Sequence, residues 1–247
     1  MSDRPSVVLI TGGSRGIGLA VAEAFARRGD IVAVSGGHDG KALAQAVDRL
    51  RAIQPDATGA LVDVRDQGRV VQWVTQIVER WSRVDVAIAN AGIIRPRPFL
   101  EIAEEQWDEV VDTHLKGTFL VLQAAARTMV ERHTPGSLIA VTAPAALRGS
   151  TGVADYASAK GGIIALTRNL AKELGPYAIR VNCVLPVAET RMTEALQFYR
   201  QPDAPGQSPG GRRPQPEDIV GPFLFLASPQ SQFVTGQVLA VDAGRTL

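Results

Sequence analysis

The sequence predicts an α/β fold, a single domain with a doubly wound, seven-stranded parallel sheet. Short β-branched runs recur along all 247 residues, they are apolar nearly throughout, and longer stretches of helical spacing separate them. Runs of this kind are typical of strands covered on both faces, and a strand–helix–strand repeat favours a parallel sheet. The predicted strands are Ser6–Ile10, Ile31–Ser35, Gly59–Val64, Val84–Ala89, Ser137–Thr142, Arg180–Leu185 and Gln237–Val241.

Composition and charge exclude several classes of function. Lys plus Arg number 26 against 25 Asp plus Glu, and a net charge of +1 provides no long-range field for nucleic acid. No apolar run approaches the roughly 20 residues of a membrane helix, and the N-terminus shows no signal peptide pattern. Cys183 is the only cysteine, which favours a reducing compartment. We expect a cytoplasmic protein of one domain, residues 1–247, with neither nucleic acid nor membrane as partner.

One segment, Gln201–Pro216, interrupts the strand–helix repeat. It reads QPDAPGQSPGGRRPQP, which is too rich in Pro and Gly for a helix or a strand. A disordered linker is one interpretation. The position between the sixth strand and the last helix favours a mobile lid over the site, predicted at about residues 187–216.

A glycine-rich loop, residues 11–18 (TGGSRGIG), directly follows the first strand and opens the first helix. Glycines allow a tight turn and a close approach of the backbone to a pyrophosphate, and the helix N-terminus offers free N–H groups. A tight turn that binds nothing is the alternative, but this position favours a Rossmann-type dinucleotide site. The predicted cofactor contacts in the loop are Gly12, Ser14, Arg15, Gly16, Ile17 and Gly18.

The same loop begins a resemblance to the short-chain dehydrogenases/reductases, whose TGxxxGxG pattern it matches. Four further matches follow in the family's order and spacing and cover almost the whole chain. They are Asn90-Ala91-Gly92 for the NAG motif, Tyr156 and Lys160 for YxxxK, Asn182 with Pro186 for the sixth-strand signature, and residues 241–244 for the closing VDGG. The chain resembles a 3-oxoacyl-reductase-like member of this family.

The resemblance implies a nicotinamide cofactor and a ketone or secondary alcohol as the small-molecule substrate. Further cofactor contacts follow from it at Asn90, Ala91, Gly92, Pro186, Tyr156 and Lys160, with Asp63 and Val64 at the adenine. It also implies a homo-oligomer, a tetramer or a dimer, packed through helices at Glu101–Arg132 and Asp155–Leu174. No metal is implied.

The end of the second predicted strand bears on the choice of cofactor. Proteins that prefer NAD usually carry an acidic residue there for the ribose 2′-hydroxyl, and here Gly36 occupies that position. Arg15 resembles the basic residue that holds a 2′-phosphate in many family members, and Ser35 or His38 could add hydrogen bonds. The alternative is that Arg15 is merely exposed. We expect NADP(H) to be favoured over NAD(H).

Tyr156 and Lys160 are four residues apart and share one face of a helix. A phenol with its ordinary pKa near 10 is a poor acid–base catalyst, but a neighbouring ammonium and a cationic nicotinamide lower that pKa. By resemblance, Tyr156 is the acid–base residue of hydride transfer and Lys160 also holds the nicotinamide ribose. Taken alone, the Tyr156–Lys160 spacing would also fit an ordinary amphipathic helix without a catalytic role.

Two catalytic positions depart from the family's pattern. Its serine lies thirteen residues before the tyrosine, where this chain has Ala143. Thr142 could replace the hydroxyl only if the strand has ended or bulged, which Pro144 makes plausible. The family's helix asparagine aligns with His114, which could act through its main-chain carbonyl, as a side chain titrating near neutrality, or as a structural residue. A third departure, Val187, could constrict the nicotinamide end.

These departures leave two other functions open. One is a nucleotide-binding protein without redox activity. The other is a family member with non-redox chemistry, such as dehydration, cyclisation or isomerisation. Retention of both Tyr156 and Lys160 favours redox chemistry.

Four arginines fall in loops that border the site in this family, and they suggest an anionic substrate. The alternative is that they are solvated surface residues. They are Arg95, Arg97, Arg148 and Arg191.

Overall fold

The computed structural model of the chain describes residues 4–194, 212, 214–244 and 246. Its strands are β1 (Val7–Thr11), β2 (Ile31–Gly36), β3 (Thr58–Leu61), β4 (Val86–Ala89), β5 (Gly136–Val141), β6 (Ile179–Pro186) and β7 (Val238–Val241). Its α-helices are α1 (Gly16–Arg27), α2 (Gly40–Arg51), α3 (Gln67–Trp81), α4 (Glu104–Val111), α5 (Gly117–Glu131), α6 (Ala145–Arg148), α7 (Ala154–Leu174), α8 (Arg191–Glu194) and α9 (Val220–Leu226).

The strands form one parallel sheet of seven strands in the order β3-β2-β1-β4-β5-β6-β7. The predicted fold class is therefore confirmed, and each predicted strand is found to within three residues at its ends. The order reverses between β1 and β4. In such sheets the carboxyl ends of the strands leave a crevice at the reversal, which positions a ligand site there.

Helices cover both faces of this sheet with two apolar clusters. One cluster includes Trp73 of α3, Met129 of α5 and Ile163 of α7. The other includes Phe25 of α1 and Phe223 of α9. Burial of these side chains on both faces explains why the central strands are apolar nearly throughout.

The edge strands differ from the prediction that all strands are covered on both faces. Thr58 and Ala60 of β3 are half-buried, whereas Gly59 and Leu61 are exposed. β7 is likewise only partly buried. An edge strand has one neighbour and incomplete helix cover, so its side chains reach solvent.

The predicted lid at about 187–216 lies largely outside the described residues. Its two described flanks lie side by side, because the Glu189 N–H donates to the Pro214 carbonyl at 2.8 Å. Within the described ranges, no helix combines the length and apolar character needed to cross a bilayer.

Candidate active site

A cleft of about 1250 Å³ opens at the carboxyl ends of the strands, beside the reversal between β1 and β4. All the residues that the sequence assigns to cofactor or catalysis line it. They are Gly12, Ser14, Arg15, Gly16, Ile17, Gly18, Ser35, Asp63, Val64, Asn90, Ala91, Gly92, His114, Thr142, Tyr156, Lys160 and Pro186. The three departures from the family's pattern, Ala143, His114 and Val187, therefore face the same space.

Backbone contacts hold the glycine loop at one end of the cleft. A Cβ at Gly18 would lie 2.3 Å from the Gly12 carbonyl oxygen, and a Cβ at Gly12 would lie 2.9 Å from the Ala91 Cα. Gly12 also has a φ of +66°, in the left-handed region that glycine tolerates. The loop can therefore keep this shape only with glycine at both positions.

Asn90 fastens this loop to the end of β4. Its side-chain Nδ2 donates to the Thr11 carbonyl at 3.0 Å, while its own N–H and that of Ala91 each donate to Thr11 Oγ1 at 3.1 Å. The Asn90 amide thus holds the loop that carries the glycines, in addition to lining the cleft.

Arg15 and Ser35 lie where the sequence places the adenosine end. The Ser35 hydroxyl is buried and has no hydrogen-bond partner within the described part of the chain. Arg15 Nη2 forms an ion pair with Asp39 Oδ2 at 2.7 Å. The other Asp39 oxygen caps α2 by accepting the Ala42 N–H at 3.0 Å, and that bond and Arg15 lower the Asp39 pKa.

Asp63, the expected adenine contact, is held by its neighbour Arg65. Arg65 Nε and Nη2 lie 2.9 Å and 2.6 Å from the two Asp63 oxygens, and this pairing lowers the pKa of Asp63. Such a two-point pair orients the carboxylate as a hydrogen-bond acceptor at the edge of the cleft.

Lys160 and Tyr156 stand together on α7. Lys160 Nζ donates to the Val141 carbonyl at 2.6 Å and lies 5.6 Å from the centroid of the Tyr156 ring. Desolvation lowers the pKa of Lys160 to about 8. Desolvation also raises the pKa of Tyr156, opposite to the direction expected from a neighbouring ammonium and a nicotinamide.

Thr142 lies just beyond the end of β5, as its proposed role requires, but its hydroxyl is engaged elsewhere. Thr142 Oγ1 donates to the Lys160 carbonyl at 2.9 Å, and the residue is buried. A hydroxyl has one proton, so none remains here for a substrate oxygen. This bond disfavours Thr142 as a substitute for the missing serine, and the Ala143 methyl group lines the cleft without a donor.

His114 is buried in a π-helical turn, Asp112–Lys116, that joins α4 to α5. Its Nε2 lies 2.6 Å from the Ile93 carbonyl oxygen and 3.1 Å from the Ile93 nitrogen, and its ring meets that of Tyr156 edge-on at 5.0 Å. The His114 Nδ1 has no partner among the described residues. π-Helical turns occur often at functional sites.

Of the three alternatives that the sequence leaves open for His114, a side chain that titrates near neutrality is contradicted by its burial. Burial, and next the charge of Lys160, lower the pKa of His114 to about 3. The imidazole is therefore neutral at ordinary pH. Because Nε2 lies only 2.6 Å from the Ile93 oxygen, Nε2 carries the proton and Nδ1 is left as an acceptor.

The four border arginines separate into two pairs. Arg148 and Arg191 line the cleft. Arg95 and Arg97 are not part of its lining; Arg95 lies 3.4 Å from Glu109, and Arg97 Nε donates to Gln106 at 3.0 Å.

Sequence reasoning missed three residues of this region: Asp39, Arg65 and Asp155. Asp39 was detectable as an N-cap residue directly before α2. Asp155 precedes Tyr156 and is 1% exposed, but burial of a single carboxylate has no local sequence signal. No cluster of three or more His, Cys, Asp or Glu side chains suited to a metal ion is found among the described residues.

The parallel sheet, its reversal point and the glycine loop define a dinucleotide-binding oxidoreductase fold. Residues 12–246 match the family described as Enoyl-(Acyl carrier protein) reductase. The chain belongs to the short-chain dehydrogenases/reductases and is an enzyme of that family, which binds a nicotinamide cofactor.

Named relatives support this assignment over nearly the full chain. The 3-oxoacyl-[acyl-carrier-protein] reductase FabG of Chlamydia trachomatis is 38% identical, across 96% of this chain and 95% of the relative. A short-chain type dehydrogenase/reductase from Mycobacterium marinum has a TM-score of 0.91 at 34% identity, covering 98% of this chain and 95% of its own. An actinorhodin polyketide ketoreductase variant, solved with NADPH, has a TM-score of 0.91 at 29% identity, covering 98% and 97%.

Proposed function

We propose that this enzyme interconverts a ketone and a secondary alcohol with NADP(H), with Tyr156 as the acid–base residue. The observation that carries the proposal is the union of the glycine loop, Tyr156 and Lys160 in one cleft. The FabG relatives and the NADPH-bound ketoreductase support the same reaction. We also propose a cytoplasmic location, as the balanced charge and single cysteine favour.

The residues at the adenosine end fit a cofactor that carries a 2′-phosphate. Gly36 has no carboxylate that would repel the phosphate, and Arg15 supplies a cation at the same end of the cleft. The buried Ser35 hydroxyl has no hydrogen-bond partner among the described residues and could donate to the phosphate. Asp39 already pairs with Arg15, so a 2′-phosphate must compete with that carboxylate. Asp63, oriented by Arg65, would accept from the adenine amino group.

Tyr156 and Lys160 would perform the proton chemistry. The nicotinamide, when bound, supplies or accepts the hydride. In reduction, the Tyr156 phenol donates its proton to the carbonyl oxygen as negative charge develops there. Lys160, as an ammonium, stabilises the phenolate left on Tyr156, and this requires its pKa of about 8 to exceed the working pH.

Ala143 leaves the substrate oxygen with one donor fewer than the family's pattern provides. Thr142 is engaged with the Lys160 carbonyl, and the neutral His114 presents an acceptor at Nδ1. Neither donates to a carbonyl oxygen in this arrangement. We therefore propose slow turnover that depends mainly on Tyr156.

Arg148 favours a substrate with an anionic group, because its side chain lines the cleft five residues after Ala143 in the chain.

Exposed apolar side chains favour a homo-oligomer, a tetramer or a dimer. Trp107 of α4 and Phe119 of α5 are both exposed on the helices at 101–132, where family members pack together. Light scattering after gel filtration would give the number of subunits.

The decisive experiment measures NADPH consumption by the purified enzyme against a panel of ketones and keto esters, with and without a carboxylate. NADH and Tyr156→Phe are run in parallel. We expect turnover that prefers NADPH and falls by about 10²-fold or more in the Tyr156→Phe variant. NADPH binding without turnover would favour a redox-inactive protein, and product formed without cofactor oxidation would favour non-redox chemistry.

A further inference from the structure

Asp155 is a buried carboxylate directly before Tyr156 on α7. It is 1% exposed, and its oxygens accept hydrogen bonds from two different directions. Oδ1 accepts the Tyr156 N–H at 2.7 Å, and Oδ2 accepts from Gln106 Nε2 at 3.0 Å. Burial of a carboxylate costs free energy unless its oxygens are hydrogen-bonded, so these contacts are required in this position.

Gln106 extends the contacts of Asp155 to an arginine. Its Oε1 accepts from Arg97 Nε at 3.0 Å, while its Nε2 serves Asp155. A guanidinium only donates and a carboxylate only accepts, so the donors point one way from Arg97 through Gln106 to Asp155. If the Gln106 amide were flipped, its NH2 group would face the Arg97 guanidinium, donor to donor, and its oxygen would face the Asp155 carboxylate, acceptor to acceptor.

The same residues connect three elements that each contribute other residues to the lining of the cleft. The Arg97 N–H donates to the Gly152 carbonyl at 2.8 Å, and Gln106 Nε2 also donates to the Arg95 carbonyl at 3.0 Å. The segment after β4, helix α4 and the segment before α7 are thus joined. Asp155 also satisfies one of the unpaired N–H groups in the first turn of α7, that of Tyr156 itself.

We infer that Arg97, Gln106 and Asp155 are positioning residues for Tyr156, forming a one-way hydrogen-bond relay. The relay fixes the start of α7 against α4 and the segment after β4, and so sets the position of the Tyr156 phenol. This role rests on the proposed function, in which Tyr156 transfers the proton. Displacement of a catalytic group by about 1 Å can cost roughly 100-fold in rate.

Two single substitutions break the relay in different ways. Asp155→Asn keeps the shape of the side chain but has one acceptor oxygen, which can face the Tyr156 N–H or Gln106 but not both. Gln106→Glu places a second carboxylate against Asp155 and removes its donor. We expect each to lower kcat by about tenfold, with the KM for NADPH unchanged.

The double variant Asp155→Asn with Gln106→Glu restores complementarity with the amide and the carboxylate exchanged. The carboxylate at 106 accepts from Arg97 and from the new amide at 155, whose oxygen accepts the Tyr156 N–H. The bond to the Arg95 carbonyl is lost and the new carboxylate faces that oxygen acceptor to acceptor, so we expect kcat to recover only in part, to within about threefold of wild type. Glu105→Gln removes one negative charge, as Asp155→Asn does, but at an exposed neighbour on α4; it is the control and should leave kcat unchanged.

The kcat, its pH profile, the KM for NADPH and the melting temperature are measured for all five proteins. A double variant whose kcat loss equals the product of the single losses would overturn the relay, while wild-type turnover would still uphold the proposed function. Single variants that lower the melting temperature but not kcat would also overturn it, since the residues would then be merely structural. Absence of wild-type turnover would refute the proposed function and the relay's role with it.

Discussion

The two ends of the cleft are built by different means. At the glycine loop, backbone meets backbone: Gly18 fits against the Gly12 carbonyl, and Gly12 against Ala91, only because each lacks a Cβ. At the catalytic end, side chains set the arrangement, and Lys160, Thr142 and His114 each bond to a main-chain carbonyl. The nucleotide end therefore follows from a few glycines, whereas the catalytic end depends on each side chain and can change more freely.

The largest effect is expected at the glycine loop. Gly18→Ala places a Cβ 2.3 Å from the Gly12 oxygen, and the loop must move. A cost of about 3 kcal/mol for such crowding would weaken NADPH binding by roughly 100-fold. Fluorescence titration of NADPH measures it. Gly221→Ala, whose Cβ meets nothing within 4 Å, is the control, and equal affinity in both variants would contradict the backbone explanation.

His114→Asn tests the catalytic end through stability. Burial holds the folded-state pKa of His114 at about 3, well below the ordinary histidine value of 6.5, so its contribution to stability is complete above pH 6.5 and is lost as pH falls toward 3. At pH 5 the loss amounts to about 2 kcal/mol. The variant, whose amide has a donor for the Ile93 carbonyl and an acceptor for the Ile93 N–H, should lack this loss. Urea unfolding at pH 8 and pH 5 measures it, and parallel pH dependences in the two proteins would contradict a buried neutral imidazole.

Ala143→Ser restores a hydroxyl at the catalytic end. Since removal of such a donor typically costs about 10²-fold, we expect kcat to rise by about tenfold or more at unchanged KM for NADPH. Steady-state kinetics with the best ketone of the panel measure the change. Ala146→Ser, on α6 but outside the lining of the cleft, controls for the added hydroxyl. An unchanged kcat would show that another group already donates to the substrate oxygen.

The smallest effect is expected at Asp39. Asp39→Asn removes the carboxylate that competes for Arg15 but keeps a good cap for α2. Because both side chains are exposed, NADPH should bind only about threefold more tightly, with NADH unaffected. Titrations with both cofactors at low salt measure this, and an equal gain for NADH would contradict competition with a 2′-phosphate.

The fold was predictable from sequence because an apolar run marks each strand. The solvent exposure of β3 and β7 was not predictable, since no local sequence pattern shows which strands lie at the edges of the sheet. The residues lining the cleft were predictable because they follow strand ends in the family's spacing. That spacing carries no information on long-range contacts.

Three site features depend on contacts between residues distant in sequence. The Thr142 hydroxyl turns to the Lys160 carbonyl, 18 residues away in the chain. Asp155 meets Gln106 across 49 residues. The third is the π-helical turn at Asp112–Lys116, where the His114 ring bonds to the Ile93 carbonyl, 21 residues away.

The contact between Gly92 and His114 constrains the order in which this enzyme can accept mutations. A Cβ at Gly92 would lie 2.2 Å from His114 Cε1, so alanine at position 92 is excluded while the imidazole is present. A smaller residue at 114 would have to come first. The two positions are therefore epistatic. In a library that varies both positions, folded variants with a residue larger than glycine at 92 should carry a residue smaller than histidine at 114.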